Sequence, residues 1–94
     1  MKKIKLFYLE HCPYCINARS ALDELGREDP AYSSIQIKWI EEGKEPVLAN
    51  KYDYYYVPTI YYEGEKLYEA DPSEDYEEIK ARVKAALDTV LREG

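Results

Sequence analysis

The sequence predicts an α/β fold: a four-stranded mixed sheet in the order strand, helix, strand, helix, strand, strand, helix (βαβαββα), with helices on both faces. Three observations carry this. An apolar run at residues 4–9 (IKLFYL) leads into an apolar helical stripe and then an alternating segment at 34–40, the pattern of a βαβ unit with parallel strands. Two β-rich segments flank Glu63-Gly64-Glu65, a turn of hairpin length and glycine content, which adds an antiparallel pair. The C-terminal segment repeats apolar residues at helical spacing. With 94 residues, 46% hydrophobic and 34% charged, the chain suits one domain spanning 1–94 and has no room for a second.

Residues 4–9 are apolar almost without interruption, as expected of a central strand buried on both faces. Pro13 suits a first helical position, and Ala18, Ala21, Leu22 and Leu25 fall on one face of the helix that follows. Gly26 is a candidate end, with extension to Pro30 the alternative, and residues 27–33 read as a connection. In SIQIKWI (34–40), Ile35, Ile37 and Trp39 alternate with Gln36 and Lys38, which predicts an edge strand with one buried face. A short helix is expected from Pro46 to about Tyr52, then the hairpin Thr59–Tyr62 and Lys66–Glu69. Asp71-Pro72-Ser73-Glu74 offers a cap, a proline and an acid in the order that opens a helix. Tyr76, Ile79, Val83, Ala86, Leu87 and Val90 form the stripe of that helix, with acids early and cations late to match its dipole.

Cys12 and Cys15 are the only cysteines, three positions apart at the start of the first helix. A bond between them closes a very short loop and removes little unfolded-chain entropy, so a stabilising staple is a poor explanation. Cys12 would sit at the helix mouth, where unpaired amides and the positive end of the dipole favour a negatively charged sulfur. Protonated His11 would act in the same direction and Glu10 against it. Cys15, one turn on, could reach back to Cys12 and resolve a mixed disulfide. Zinc usually needs four ligands; the chain has no second C-x-x-C, and adjacent His11 and Cys12 converge poorly on one ion. A metal or iron–sulfur reading therefore rests mostly on two chains sharing their pairs.

Cys12-Pro13-Tyr14-Cys15 resembles the active site of dithiol glutaredoxins, and Val57-Pro58-Thr59 resembles the cis-proline signature of the thioredoxin superfamily. The element order matches over nearly the whole chain. The resemblance implies a thioredoxin/glutaredoxin-like fold, with Pro58 cis and lying against the cysteine pair. It also implies that the Val57 backbone receives the extended segment of a substrate. Tyr14, by its place between the cysteines, is expected to be exposed and to touch that substrate. Asp71 falls where the family holds the γ-glutamyl end of glutathione; an ordinary N-cap is the competing role. Two features depart from glutaredoxins. Leu9 replaces a basic residue three places before the first cysteine, and Tyr68-Glu69 stands where a Gly-Gly pair is usual. The replacements add bulk and negative charge where an anionic tripeptide would lie, so weak or altered glutathione use is expected.

The implied activity is thiol–disulfide exchange on protein or small-molecule disulfides, with no tightly bound cofactor, glutathione as a candidate co-substrate, and a reductase or glutathione as electron donor. The rival reading is a non-catalytic thioredoxin-fold binding module. Of the eleven tyrosines, Tyr52, Tyr54, Tyr55 and Tyr56 lead directly into Val57-Pro58; about half should pack the core and the rest could grip a peptide. A net charge of −6, from 13 basic and 19 acidic residues, gives no basic stripe for nucleic acid. No signal-peptide core or membrane span is evident, so a cytoplasmic monomer is the expectation.

Overall fold

The computed structural model describes residues 2–93. Strand β1 (Lys3–Tyr8) is followed by helices α1 (Pro13–Glu28) and α2 (Pro30–Ser33), strand β2 (Gln36–Glu41) and helix α3 (Pro46–Ala49). The hairpin strands β3 (Thr59–Tyr62) and β4 (Glu65–Glu69) and the long helix α4 (Tyr76–Arg92) complete the fold. The sheet runs in the order β2-β1-β3-β4, with β1 parallel to β2 and antiparallel to β3. The mixed sheet and the edge position of β2 are as the sequence predicts.

Strand β1 is central because its residues can be buried on both faces. Ile4 and Leu6 point into a core with Ala18 and Leu25 of α1, Ile60 and Tyr68 of the hairpin, and Ile79, Val83, Ala86, Leu87 and Val90 of α4. Phe7 points the other way, into a smaller core with Ile40, Ala49 and Tyr61 that Leu48, Tyr52, Tyr54 and Val57 cover. There its ring lies 4.8 Å from Tyr52, 5.1 Å from Tyr54 and 6.0 Å from Tyr61, in tilted and edge-on packings suited to ring quadrupoles. Helices α1 and α4 thus cover one face and α3 the other. Lys80 of α4 pairs with Glu24 and, at 2.8 Å, with Glu28 of α1, tying the two long helices together. Among the described residues no helix is long and apolar enough to cross a membrane.

Four local features differ from the sequence reading. Helix α1 passes Gly26 and ends at Glu28, in line with the extension toward Pro30 expected as the alternative; Asp29 then accepts a hydrogen bond from Ala31 N–H, which starts the unanticipated turn α2. The expected third helix stops at Ala49, after one turn. Strand β2 buries Ile40 completely on the face opposite Ile37 and Trp39, which are only half-buried at the sheet edge. Helix α4 begins at Tyr76, not near Pro72. Its cap is Asp75, which forms a reciprocal capping box with Glu78. Residues 71–74 instead close a turn, because the Glu74 side chain is drawn inward by Tyr68 Oη, Asp71 N–H and Arg82. The hairpin turn needs left-handed backbone at both Glu63 and Gly64, and the glycine takes that conformation without steric cost.

Replacing the cap, Asp75→Ala, is expected to lower stability by about 1 kcal/mol in denaturant titrations at unchanged slope. Asp71→Ala should leave the midpoint close to wild type; the reverse ranking would place the start of α4 at Asp71.

Candidate functional site

The site forms where β1 ends. Cys12 N–H bonds back to Leu9 carbonyl at 3.3 Å, closing a turn that sets Cys12 as the extended N-cap of α1 with Pro13 as first helical residue. No side chain caps this helix, so the N-terminal amides face the site. Glu41 holds the turn from outside: one of its oxygens accepts from Gly43 N–H at 2.6 Å and the other from Glu10 N–H at 3.3 Å. Glu10 and His11 are exposed, and Glu10 pairs with Lys44 at 3.7 Å, a solvated contact of little energetic weight.

Both cysteines are free thiols. Cys12 is half-buried, and its Sγ lies 3.7 Å from Val57 carbonyl oxygen, the acceptor for the thiol. The Val57-Pro58 peptide bond is cis, as the resemblance implies, and Pro58 is buried. Cys15 is 6% exposed, and its Sγ accepts from Leu9 N–H at 3.5 Å. Burial pushes the Cys15 thiol up from an ordinary 9.0 to about 12, against the Leu9 amide, which lowers it; the hydrogen-bonded Cys12 thiol and the Glu42 carboxylate push the same way as burial. The two thiols are therefore unlike each other, one reachable from solvent and the other covered and held neutral.

Tyr14 is not simply exposed. It is half-buried against the main core, and its hydroxyl donates to Pro72 carbonyl at 2.5 Å, so the motif's own tyrosine moors the 71–74 turn beside the thiols. Asp71 does not cap α4. Its carboxylate accepts from the N–H and the hydroxyl of Ser73, which hold it ionised below the usual carboxylate range. It lines an open groove of about 630 Å³ with Tyr55, Tyr56, Lys66, Glu69 and Arg82. The structure thus brings Cys12, Cys15, Val57 and Pro58 together, sets Tyr14 as a strut, and leaves Asp71 in the adjoining groove.

The tyrosine run divides as expected: Tyr52 and Tyr54 pack on Phe7, whereas Tyr55 is 88% and Tyr56 52% exposed next to Val57. Two acids take roles that the sequence pattern did not reveal, Glu69 at this segment and Glu74 at the turn before α4. Glu69 accepts from the N–H groups of both Tyr55 and Tyr56, at 2.6 and 2.9 Å, and from Lys66 at 2.7 Å. Burial opposes its charge, but Lys66 and the two amides outweigh it and lower the carboxyl below its ordinary value. Glu74 is almost buried and takes bonds from Tyr68 Oη at 2.9 Å and Arg82 at 2.8 Å. No sequence signal marked the burial of Glu74, whose place in Asp71-Pro72-Ser73-Glu74 reads as a helix start; only the register, which pairs Glu69 with Thr59, reveals the clasp. Among the described residues no three His, Cys, Asp or Glu side chains converge as a metal site would require.

Comparison with known proteins agrees with this architecture. The family of glutathione S-transferase N-terminal domains matches residues 6–76. A thioredoxin of Methanocaldococcus jannaschii is 30% identical over 83 residues, covering 86% of this chain and 95% of that protein. A solved structure described as a malarial protein superposes with a TM-score of 0.59 at 21% identity, over 90% of this chain and 96% of the other. A point-mutant thioredoxin from Halobacterium salinarum gives 0.56 at 20% identity, over 90% and 74%. The chain belongs to the glutathione S-transferase N-terminal domain family and, with its thioredoxin relative, to the thioredoxin superfamily.

Under native conditions at neutral pH, iodoacetamide should add one group, at Cys12, and reach Cys15 only after denaturation; equal labelling of both would contradict the burial of Cys15. The raised Cys15 value also sets a sign. Above pH 9 the unfolded thiol ionises before the native one, so the unfolded state holds fewer protons and stability should fall as pH rises from 9 toward 12. Cys15→Ala should flatten that decline, read as denaturation midpoint against pH.

Proposed function

We propose that the protein is a thiol–disulfide oxidoreductase of the dithiol, glutaredoxin-like type, with Cys12 as nucleophile and Cys15 as resolving thiol. The observation that carries the reading is the placement of Cys12 at the uncapped start of α1, its sulfur beside the Val57 carbonyl, with Cys15 covered one turn further in. The amides at the helix start stabilise negative charge on Cys12 sulfur as it attacks. That attack breaks the substrate disulfide, releases one substrate thiolate, and leaves the other half bonded to Cys12. Cys15 then gives up its proton, attacks Cys12 sulfur and expels the second thiolate, leaving a Cys12–Cys15 disulfide and a substrate reduced by two electrons. The buried, neutral state of Cys15 keeps it from competing for the first attack.

An extended substrate segment would lie along the Val57-Pro58 backbone, bordered by the exposed rings of Tyr55 and Tyr56 and the apolar side chains of Leu9 and Ile16. Protein disulfides suit this surface, and small disulfides could use the same sulfur chemistry. No tightly bound cofactor is needed; a reductase or glutathione would return the two electrons, in a reducing compartment such as the cytoplasm. The thioredoxin relative supports the activity class, and the acidic surface offers nothing to nucleic acid.

The test is insulin disulfide reduction with a dithiol donor. Wild type should turn over, Cys12→Ser should lose turnover entirely, and Cys15→Ser should accumulate a mixed disulfide at Cys12, seen as a mass adduct. Turnover that survives Cys12→Ser would overturn the reading in favour of a binding module with incidental thiols.

A further inference from the structure

In the groove lined by Tyr55, Tyr56, Lys66 and Glu69, two neighbouring backbone amides are occupied by the chain's own carboxylate. Tyr55 and Tyr56 present consecutive backbone N–H groups to one oxygen of Glu69, while Lys66 takes the other. Lys66 also reaches the Asp53 carbonyl, at 3.3 Å, so both ends of the clasp hold the tyrosine segment against β4. The next residue along is Val57, whose carbonyl lies 3.7 Å from Cys12 sulfur. A carboxylate near the sulfur of a small disulfide bound at Cys12 would thus come toward these amides and find Glu69 on them. Asp71 lines the same groove, so a second negative charge faces such a ligand. Arg82 supplies a nearby cation, but it is already paired with Glu74.

We propose that Glu69 is a built-in carboxylate plug: it occupies the Tyr55 and Tyr56 amides and makes the site discriminate against anionic small disulfides in favour of neutral ones and of protein disulfides. Discrimination of this kind comes from an introduced repulsion and a pre-filled seat, not from better contacts to the favoured substrate. The inference rests on thiol–disulfide exchange at Cys12 and specifies its substrate class.

The experiment compares glutathione disulfide, which is anionic, with hydroxyethyl disulfide, which is neutral, on wild type, Glu69→Ala and Glu69→Gln. The ratio of their kcat/KM values should rise about tenfold in Glu69→Ala, mainly through KM, as one charge-assisted hydrogen bond becomes available to the ligand. Glu69→Gln keeps an oxygen on the amides but removes the charge, so its ratio should fall between. A ratio unchanged in both variants, or equal losses on both disulfides, would overturn the plug and leave Glu69 a loop brace. A second arm separates the plug from the chemistry. S-methylglutathione, which cannot exchange, is titrated by NMR into Cys12→Ser with and without Glu69→Ala. Tighter binding with Glu69→Ala supports the plug even if wild type reduces neither disulfide, a result that would sink the exchange reading alone; equal binding overturns the plug.

Discussion

Every position at the thiol site is measured from the end of β1. This strand is hydrogen-bonded to β2 on one side and β3 on the other and is buried on both faces, so it cannot slide without turning Phe7 and Leu6 into the wrong cores. Where it ends, the Leu9 turn delivers Cys12 to the start of α1, and α1 is in turn fixed against α4 by its apolar stripe and by Lys80. The second wall of the site comes from β3, the other neighbour of β1, because the cis Val57-Pro58 bond immediately precedes it. A single strand therefore sets the separation between the helix that carries the sulfurs and the backbone that faces them.

Charge works at a finer scale. Three carboxylates brace the irregular segments around the thiols: Glu41 the turn before Cys12, Glu69 the tyrosine segment, and Glu74 the turn before α4. Each takes backbone N–H groups that have no partner in helix or sheet, which is the main need of irregular backbone near a covered core. Bracing loops with acids also fixes where negative charge sits in the segments on either side of Cys12 and Val57.

The elements that bury a regular stripe could be read from the sequence: IKLFYL as a two-faced strand, the hairpin around Gly64, and the Ile79-to-Val90 face of α4. The position of Cys12 at the start of α1 was legible from Pro13 and the helical stripe, and the cis Val57-Pro58 bond from the resemblance that Val57-Pro58-Thr59 carries. Legibility failed where a side chain answers to a distant partner. Asp71-Pro72-Ser73-Glu74 has the composition of a helix start, but Glu74 is claimed by Tyr68 and Arg82, so the cap passes to Asp75. Tyr14 reads as a substrate contact by its place in the motif, yet its hydroxyl finds Pro72 across 58 positions of sequence. Glu69 reads as a replacement for a small residue, and only the pairing of β3 with β4 shows it gripping Tyr55 and Tyr56.

The central claim is that two sulfurs on one helical turn can exchange a bond without disturbing the sheet that holds them. Amide correlation spectra of the reduced protein and of protein oxidised with diamide, paired with intact mass, test it most directly. A single chain that loses the mass of two hydrogens, with shifts confined to the ends of β1 and α1 and to the residues around Pro58, is expected. A bond that forms only between two chains, or shifts spread through β2 and α4, would contradict it.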